Sequence, residues 1–137
     1  GIGHIKKISM ANGLFDAGFA VNGDIFQEPP SGYTDYRFIS MAVSPPYLYA
    51  LSINSAFASS YITISRWYIS TGIIDETFGV RGEVRVDDPL SVYAGGLLVH
   101  GANLYFSFGY GTDDKWRVVR MPVSTGIPDF NYINNSP

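Results

Sequence analysis

The chain repeats itself. Residues 11–25 read ANGLFDAGFAVNGDI, residues 70–84 read STGIIDETFGVRGEV, and residues 124–135 read STGIPDFNYINN. Gly13, Gly72 and Gly126 align, as do Asp16, Asp75 and Asp129, and then Phe19, Phe78 and Tyr132. The aspartates are 59 residues apart (16 to 75) and then 54 (75 to 129). A period in this range marks a repeat protein.

Between the repeated motifs the pattern is that of strands. Ile5–Ile8, Asp24–Phe26, Tyr36–Ser44, Tyr47–Ile53 and Tyr61–Ile69 are predicted strands in the first part of the chain. Gly82–Val86, Gly95–Val99, Asn103–Phe108 and Lys115–Val123 follow in the second. The run YITISRWYI alternates with a period of 2, with Tyr61, Thr63, Ser65, Trp67 and Ile69 on one face and Ile62, Ile64, Arg66 and Tyr68 on the other. β-branched and aromatic residues in that pattern read as a strand. Asn12-Gly13, Asn22-Gly23, Pro45-Pro46 and His100–Asn103 read as turns, as does Gly109–Asp114. Residues 27–35, with two prolines and a glycine, read as a loop. No segment holds a helical period.

Each full period therefore carries about four short strands with tight connections, which is an antiparallel meander. The expected fold class is all-β. It consists of antiparallel four-stranded blade repeats, about 2.4 of them, in a β-propeller-like arrangement. The repeat units run approximately over 4–60, 61–114 and, in part, 115–137 of a single module, 1–137.

The pattern Arg66-Trp67, then Gly72-Ile73-Ile74-Asp75-Glu76-Thr77-Phe78-Gly79-Val80-Arg81-Gly82, resembles the bacterial delta-60 repeat family. Nearly the whole chain takes part. The 70–82 copy is the better match and 13–23 the looser. In the last copy Tyr132 stands for Phe and Asn135 for the final Gly. The resemblance implies β-propeller blades and a surface or secreted setting. It implies no catalytic residues.

Propellers have typically about 4–8 blades. A stack of two and a fraction leaves open faces and unpaired edges. The chain is expected to begin in the third strand of one blade and to end just past the turn of another. Two kinds of partner would complete it: further blades of a larger chain, or other copies of itself arranged by symmetry.

Composition narrows the function classes. The net charge is −3, so there is no basic field for nucleic acid or an anionic membrane. With no cysteine, disulfides, thiolate metal sites and a cysteine nucleophile are excluded. No run of about 20 apolar residues offers a membrane span, and no signal peptide opens the chain. Gly1 in place of Met is what a processed or excised product shows. Charged residues are 15% of the chain, against about 25% ordinarily. A polar, low-charge, Tyr-rich surface leans toward an extracellular, cell-surface or periplasmic protein.

Three patterns are candidates for a site. A basic residue precedes each repeated Asp by nine positions: Lys7 and Asp16, Arg66 and Asp75, Arg120 and Asp129. We read these as structural pairs that stabilise the turn, since a carboxylate can accept backbone N–H groups there. The alternative is a ligand site repeated once per blade. The second pattern is aromatic density, read as core between sheets. Its functional alternative is a glycan platform built from the loop aromatics Tyr33, Tyr93 and Tyr110. The third is a set of scattered polar groups. Asp87-Asp88 and Asp113-Asp114 read as solvated turns, with a calcium site at Asp113-Asp114 as the alternative. His4 and His100 are not equivalent in the repeat and are too few for zinc. Gly109-Tyr110-Gly111 reads as a hairpin turn, and Asn134-Asn135-Ser136 as a chance glycosylation triplet.

The expected function is that of a non-catalytic structural or protein-interaction module, with no cofactor and no metal. A carbohydrate-binding, lectin-like module is the alternative.

Overall fold

The Tyr-, Ile- and Val-rich runs form strands, and the Gly, Pro and Asn clusters between them form turns. A computed structural model of the chain describes residues 1–57, 59–86, 92–110 and 116–130, with Val92 and Tyr110 by their backbone alone. The strands are β1 (Gly3–Lys6), β2 (Asp24–Gln27), β3 (Asp35–Ser44), β4 (Tyr47–Ser55), β5 (Ser60–Tyr68), β6 (Glu83–Val86), β7 (Val92–His100), β8 (Asn103–Tyr110) and β9 (Trp116–Pro122). The described residues contain no helix. All sheet pairings are antiparallel between neighbours in sequence, giving sheets β1-β2, β3-β4-β5-β6 and β7-β8-β9.

Among the described residues only the middle sheet has four strands. It also straddles the sequence units, taking β3 and β4 from 4–60 and β5 and β6 almost wholly from 61–114. Hydrogen bonding along the β4–β5 hairpin sets that phase, from Tyr47 opposite Tyr68 to Ser55 opposite Ser60.

Positions that align in the sequence share backbone features. β3 shifts register between Phe38 and Ser40, and β7 does so between Ala94 and Leu97, at matching points of their hairpins. The shift in β7 absorbs Gly95 and Gly96. The strand therefore starts at Val92, earlier than the Gly95 expected. After β5 the chain folds back: Asp75 N–H donates to the Arg66 carbonyl at 2.9 Å. The same bond joins Asp16 to Lys7 at 2.9 Å and Asp129 to Arg120 at 2.7 Å. A tight turn follows, with positive φ at Arg81 and Gly82, as at Asn22 and Gly23. Two successive residues of that kind match the twist of the strands they join. Ile8, expected in the first strand, lies beyond it and bridges to Phe15.

The three sheets stack in order. The face of the middle sheet bearing Tyr49, Leu51, Ile62 and Ile64 packs on Leu97, Leu104, Phe106 and Met121 of the third. Its other face, with Leu48, Ala50 and Trp67, packs on Ile5, Phe19 and Ile25 of the first motif and sheet. The alternation in β5 is present, but both faces are buried. A polar layer lies within the second face. Ser52 donates to the Tyr36 hydroxyl at 2.9 Å, Asn54 to Thr63 Oγ1 at 2.7 Å, and Trp67 Nε1 to Ser65 at 2.8 Å. The donors of the layer find acceptors within it, as burial requires, while Asn54 Oδ1 has no hydrogen-bond partner among the described residues.

Candidate functional site

Three basic–acidic pairs recur, one per motif. Lys7 Nζ is 2.9 Å from Asp16 Oδ2, Arg66 Nη2 is 2.8 Å from Asp75 Oδ2, and Arg120 Nη2 is 2.7 Å from Asp129 Oδ2. The spacing of nine brings the two side chains together because the motif doubles back along the strand it leaves. Asp16 and Asp75 do a second task. The Asp16 Oδ1 accepts the Gly18 N–H at 3.1 Å, and the Asp75 Oδ1 accepts the Thr77 N–H at 3.1 Å. Each carboxylate thus closes its own turn.

The pairs differ in surroundings. The Arg66 and Asp75 side chains are 10% and 2% exposed, whereas Lys7 and Asp16 are each 38% exposed. The Arg66 guanidinium is sandwiched between the rings of Tyr47 (4.4 Å) and Phe78 (4.7 Å). Lys7 stands over Phe19 alone, at 5.5 Å.

Electrostatics follow the same division. Burial pushes the Asp75 carboxyl up. Hydrogen bonds from the Thr77 hydroxyl and amide, with the Arg66 charge, outweigh it and hold the group below its ordinary value. Asp16 is also lowered, first by Lys7 and then by the Gly18 amide.

A cleft of about 650 Å³ opens beside the buried pair, between the middle and third sheets. Tyr47, Arg66, Thr77, Ser124 and Thr125 supply its polar lining. Arg66 Nε is buried with no hydrogen-bond acceptor among the described residues. The cleft can present a fixed guanidinium and several hydroxyls. It holds no carboxylate pair, and no group of three or more His or acidic residues that could hold a metal exists among the described residues.

The three loop aromatics are not brought together as a loop platform. Tyr33 lies in its expected loop but is half-buried, edge-on to Tyr61 with centroids 4.8 Å apart. Tyr93 belongs to β7 and Tyr110 ends β8, so neither is a loop residue. The early start of β7 and the extension of β8 through Gly109 are the reason. They are neighbours across the ladder, Tyr93 opposite Gly109 and Val92 opposite Tyr110. Tyr93 is 61% exposed. The strand aromatics Tyr49, Tyr61, Trp67, Phe106 and Phe108 are buried, but Trp116 is exposed.

His4 Nδ1 is 2.9 Å from Asp24 Oδ2, which also takes Lys6 Nζ at 3.2 Å. His100 lies on β7, in another sheet. Asp87-Asp88, Asp113-Asp114 and Asn134-Asn135-Ser136 lie outside the described residues. Sequence reasoning missed the Tyr47–Arg66–Phe78 sandwich. Its three members come from two strands and a motif, and only pairing of β4 with β5 aligns them.

Compared with protein-family models, with curated proteins and with solved structures, the chain matches none. No helix among the described residues is long and apolar enough to cross a membrane.

Proposed function

We propose that this chain is a non-catalytic structural or protein-interaction module of the β-propeller type, from a surface or secreted bacterial protein. The observation that carries the reading is a joint used twice. A Cβ on Gly72 would meet Ala20 of the preceding motif, and one on Gly126 would meet Val84 at 3.0 Å, with Gly79 next. Residues 20 and 79 are equivalent, 59 apart like Asp16 and Asp75. Corresponding joints between successive units are what a scaffold of stacked repeats is made from.

Amide hydrogen exchange tests it. The Ala20 N–H donates to the Thr71 carbonyl at 2.6 Å, joining the first motif to the second, and the Leu97 N–H donates to Ser40 Oγ at 3.0 Å, joining the third sheet to the middle one. Protection of these amides comparable to strand interiors is expected. Free exchange there, with the strands protected, defeats the stacked reading.

A second reading, glycan binding, is favoured by the exposed Tyr93 ring. A ring face can stack on a sugar when hydrogen-bonding groups lie near. A glycan-array signal lost in Tyr93→Ala supports it; an array with no signal from the intact chain removes it.

A further inference from the structure

The first and middle sheets contain the same cross-strand pair with different residues. Lys6 of β1 stands opposite Asp24 of β2, and Ser65 of β5 stands opposite Glu83 of β6. Each member of the second pair lies 59 residues after its counterpart, as Thr63 does after His4. In the first sheet cations meet the carboxylate: Asp24 Oδ2 takes Lys6 Nζ at 3.2 Å and His4 Nδ1 at 2.9 Å. In the middle sheet the acid is kept, and hydroxyls stand where both cations were.

Those hydroxyls are engaged in the buried polar layer. Ser65 Oγ accepts the Trp67 Nε1–H at 2.8 Å, and Thr63 Oγ1 accepts from Asn54 Nδ2 at 2.7 Å. Arg85, two residues along β6, lies over the Tyr61 ring, 3.8 Å from its centroid. No neighbouring charge acts on the Glu83 carboxyl, which burial alone raises. Glu83 Oε1 is thus buried with no hydrogen-bond partner among the described residues. The residue as a whole is half-buried, and it lines a cleft of about 480 Å³ with Tyr61, Thr63, Val80 and Arg85. Small-molecule sites have volumes of about 300–1,000 Å³.

We propose that this cleft binds a small primary alkylammonium ion, whose N–H groups take the place on Glu83 that Lys6 fills on Asp24. The repeat itself names the chemistry. Where the chain supplies a partner to this acidic position, the partner is an ammonium on a slim alkyl stem. An unpaired buried carboxylate is costly, and a charged N–H donor is the strong remedy. A metal ion does not fit. Calcium needs about 6–8 oxygens, and no group of three or more acidic residues or histidines that could hold a metal exists among the described residues.

An NMR titration of the chain with n-butylammonium chloride tests this, at constant ionic strength and about pH 8, where an amine with an ordinary value of about 10.4 is charged. Saturating shifts of the Thr63, Ser65 and Glu83 amides are expected, with a midpoint in the millimolar range. The Lys6 and Asp24 amides are expected to stay still. n-Butanol has the same shape without the charge, and tetramethylammonium has the charge without N–H groups; neither is expected to give a saturating shift. Glu83→Gln keeps the shape, removes the charge and is expected to abolish the response. No saturating shift in the intact chain, an equal response to either control ligand, or binding retained in the variant overturns the proposal. Both control ligands act on the intact chain, so they decide the matter even if the variant fails to fold. A lysine side chain ends in the same group, and a parallel titration with Nα-acetyl-lysine methylamide separates the two sources. Binding tighter than that of n-butylammonium overturns the free amine in favour of a lysine side chain, and weaker binding supports the free amine.

Discussion

Arg66 and Asp75 meet at 2.8 Å in a site that leaves their side chains 10% and 2% exposed, while Lys7 and Asp16 meet at 2.9 Å in the open. One motif geometry therefore yields two energetic situations. Removing one partner of a buried pair strands the other charge, at a cost of about 3 kcal/mol. Asp75→Asn is expected to lower stability by about that much in urea denaturation. Asp16→Asn is expected to leave the midpoint nearly unchanged. Equal losses from both would show that burial does not distinguish them.

The acid limb of stability follows from the same carboxylates. Asp16, Asp24, Asp35 and Asp75 are all held below the ordinary aspartate value. The folded state binds these protons less tightly than the unfolded chain does. Their contribution is complete above the unfolded value and is lost as pH falls through the folded ones. These aspartates by themselves leave the melting temperature unchanged above about pH 5 and lower it below about pH 4. Asp75→Asn should shrink that drop. An unchanged acid limb in the variant would remove Asp75 from the account.

Glu83 has the opposite sign. It is equivalent to Asp24, which is paired with Lys6 and His4. Glu83 Oε1 is buried with no hydrogen-bond partner among the described residues, and burial raises the carboxyl above its ordinary value. Its contribution is most favourable in acid and is lost as pH rises through the raised value. Glu83→Gln is therefore expected to raise the melting temperature at pH 7 and to give no gain near pH 3. A loss at pH 7 would mean that the carboxylate is stabilised by its surroundings.

Gly13 and Gly72 have the same backbone, φ +70 and +68, but different neighbours. A Cβ on Gly13 meets nothing within 4 Å, while one on Gly72 stands 2.7 Å from Ala20 Cβ and 2.8 Å from its nitrogen. Gly13→Ala is expected to cost about 1 kcal/mol of left-handed strain. Gly72→Ala adds about 1–3 kcal/mol of overpacking. Chemical denaturation of the two variants reads the difference, which reports the joint between motifs. No difference would mean that the motifs do not touch.

Thr63 is the hub of the buried polar layer. Its hydroxyl oxygen accepts from Asn54 Nδ2 at 2.7 Å and lies 3.2 Å from Ser52 Oγ. Thr63→Val keeps the shape and removes the acceptor. It is expected to cost about 1–3 kcal/mol, the penalty for a buried donor without a partner. Calorimetry at neutral pH checks this, and a neutral result would mean that water reaches the layer.

The strands, the turns and the three Lys/Arg–Asp spacings were legible in the chain itself. β-branched and aromatic residues on a period of 2, punctuated by Gly, Pro and Asn, leave little choice of local conformation. The spacing of nine between Arg66 and Asp75 places the two residues on adjoining segments once the motif turns back. These are short-range matters, decided within about twenty residues by backbone sterics and alternation.

Tertiary structure alone decided the rest. It put β4 and β5 in one sheet and so set the sheets out of phase with the sequence repeat. It buried both faces of β5, where alternation alone predicts two faces but not what covers them. It drew Tyr93 into a strand through a register shift and set Tyr33 against Tyr61. It made Asp75 a core residue and left Asp16 at the surface, although the motif is the same. Burial depends on which sheets stack on which, and that is a property of long-range packing that no local pattern records.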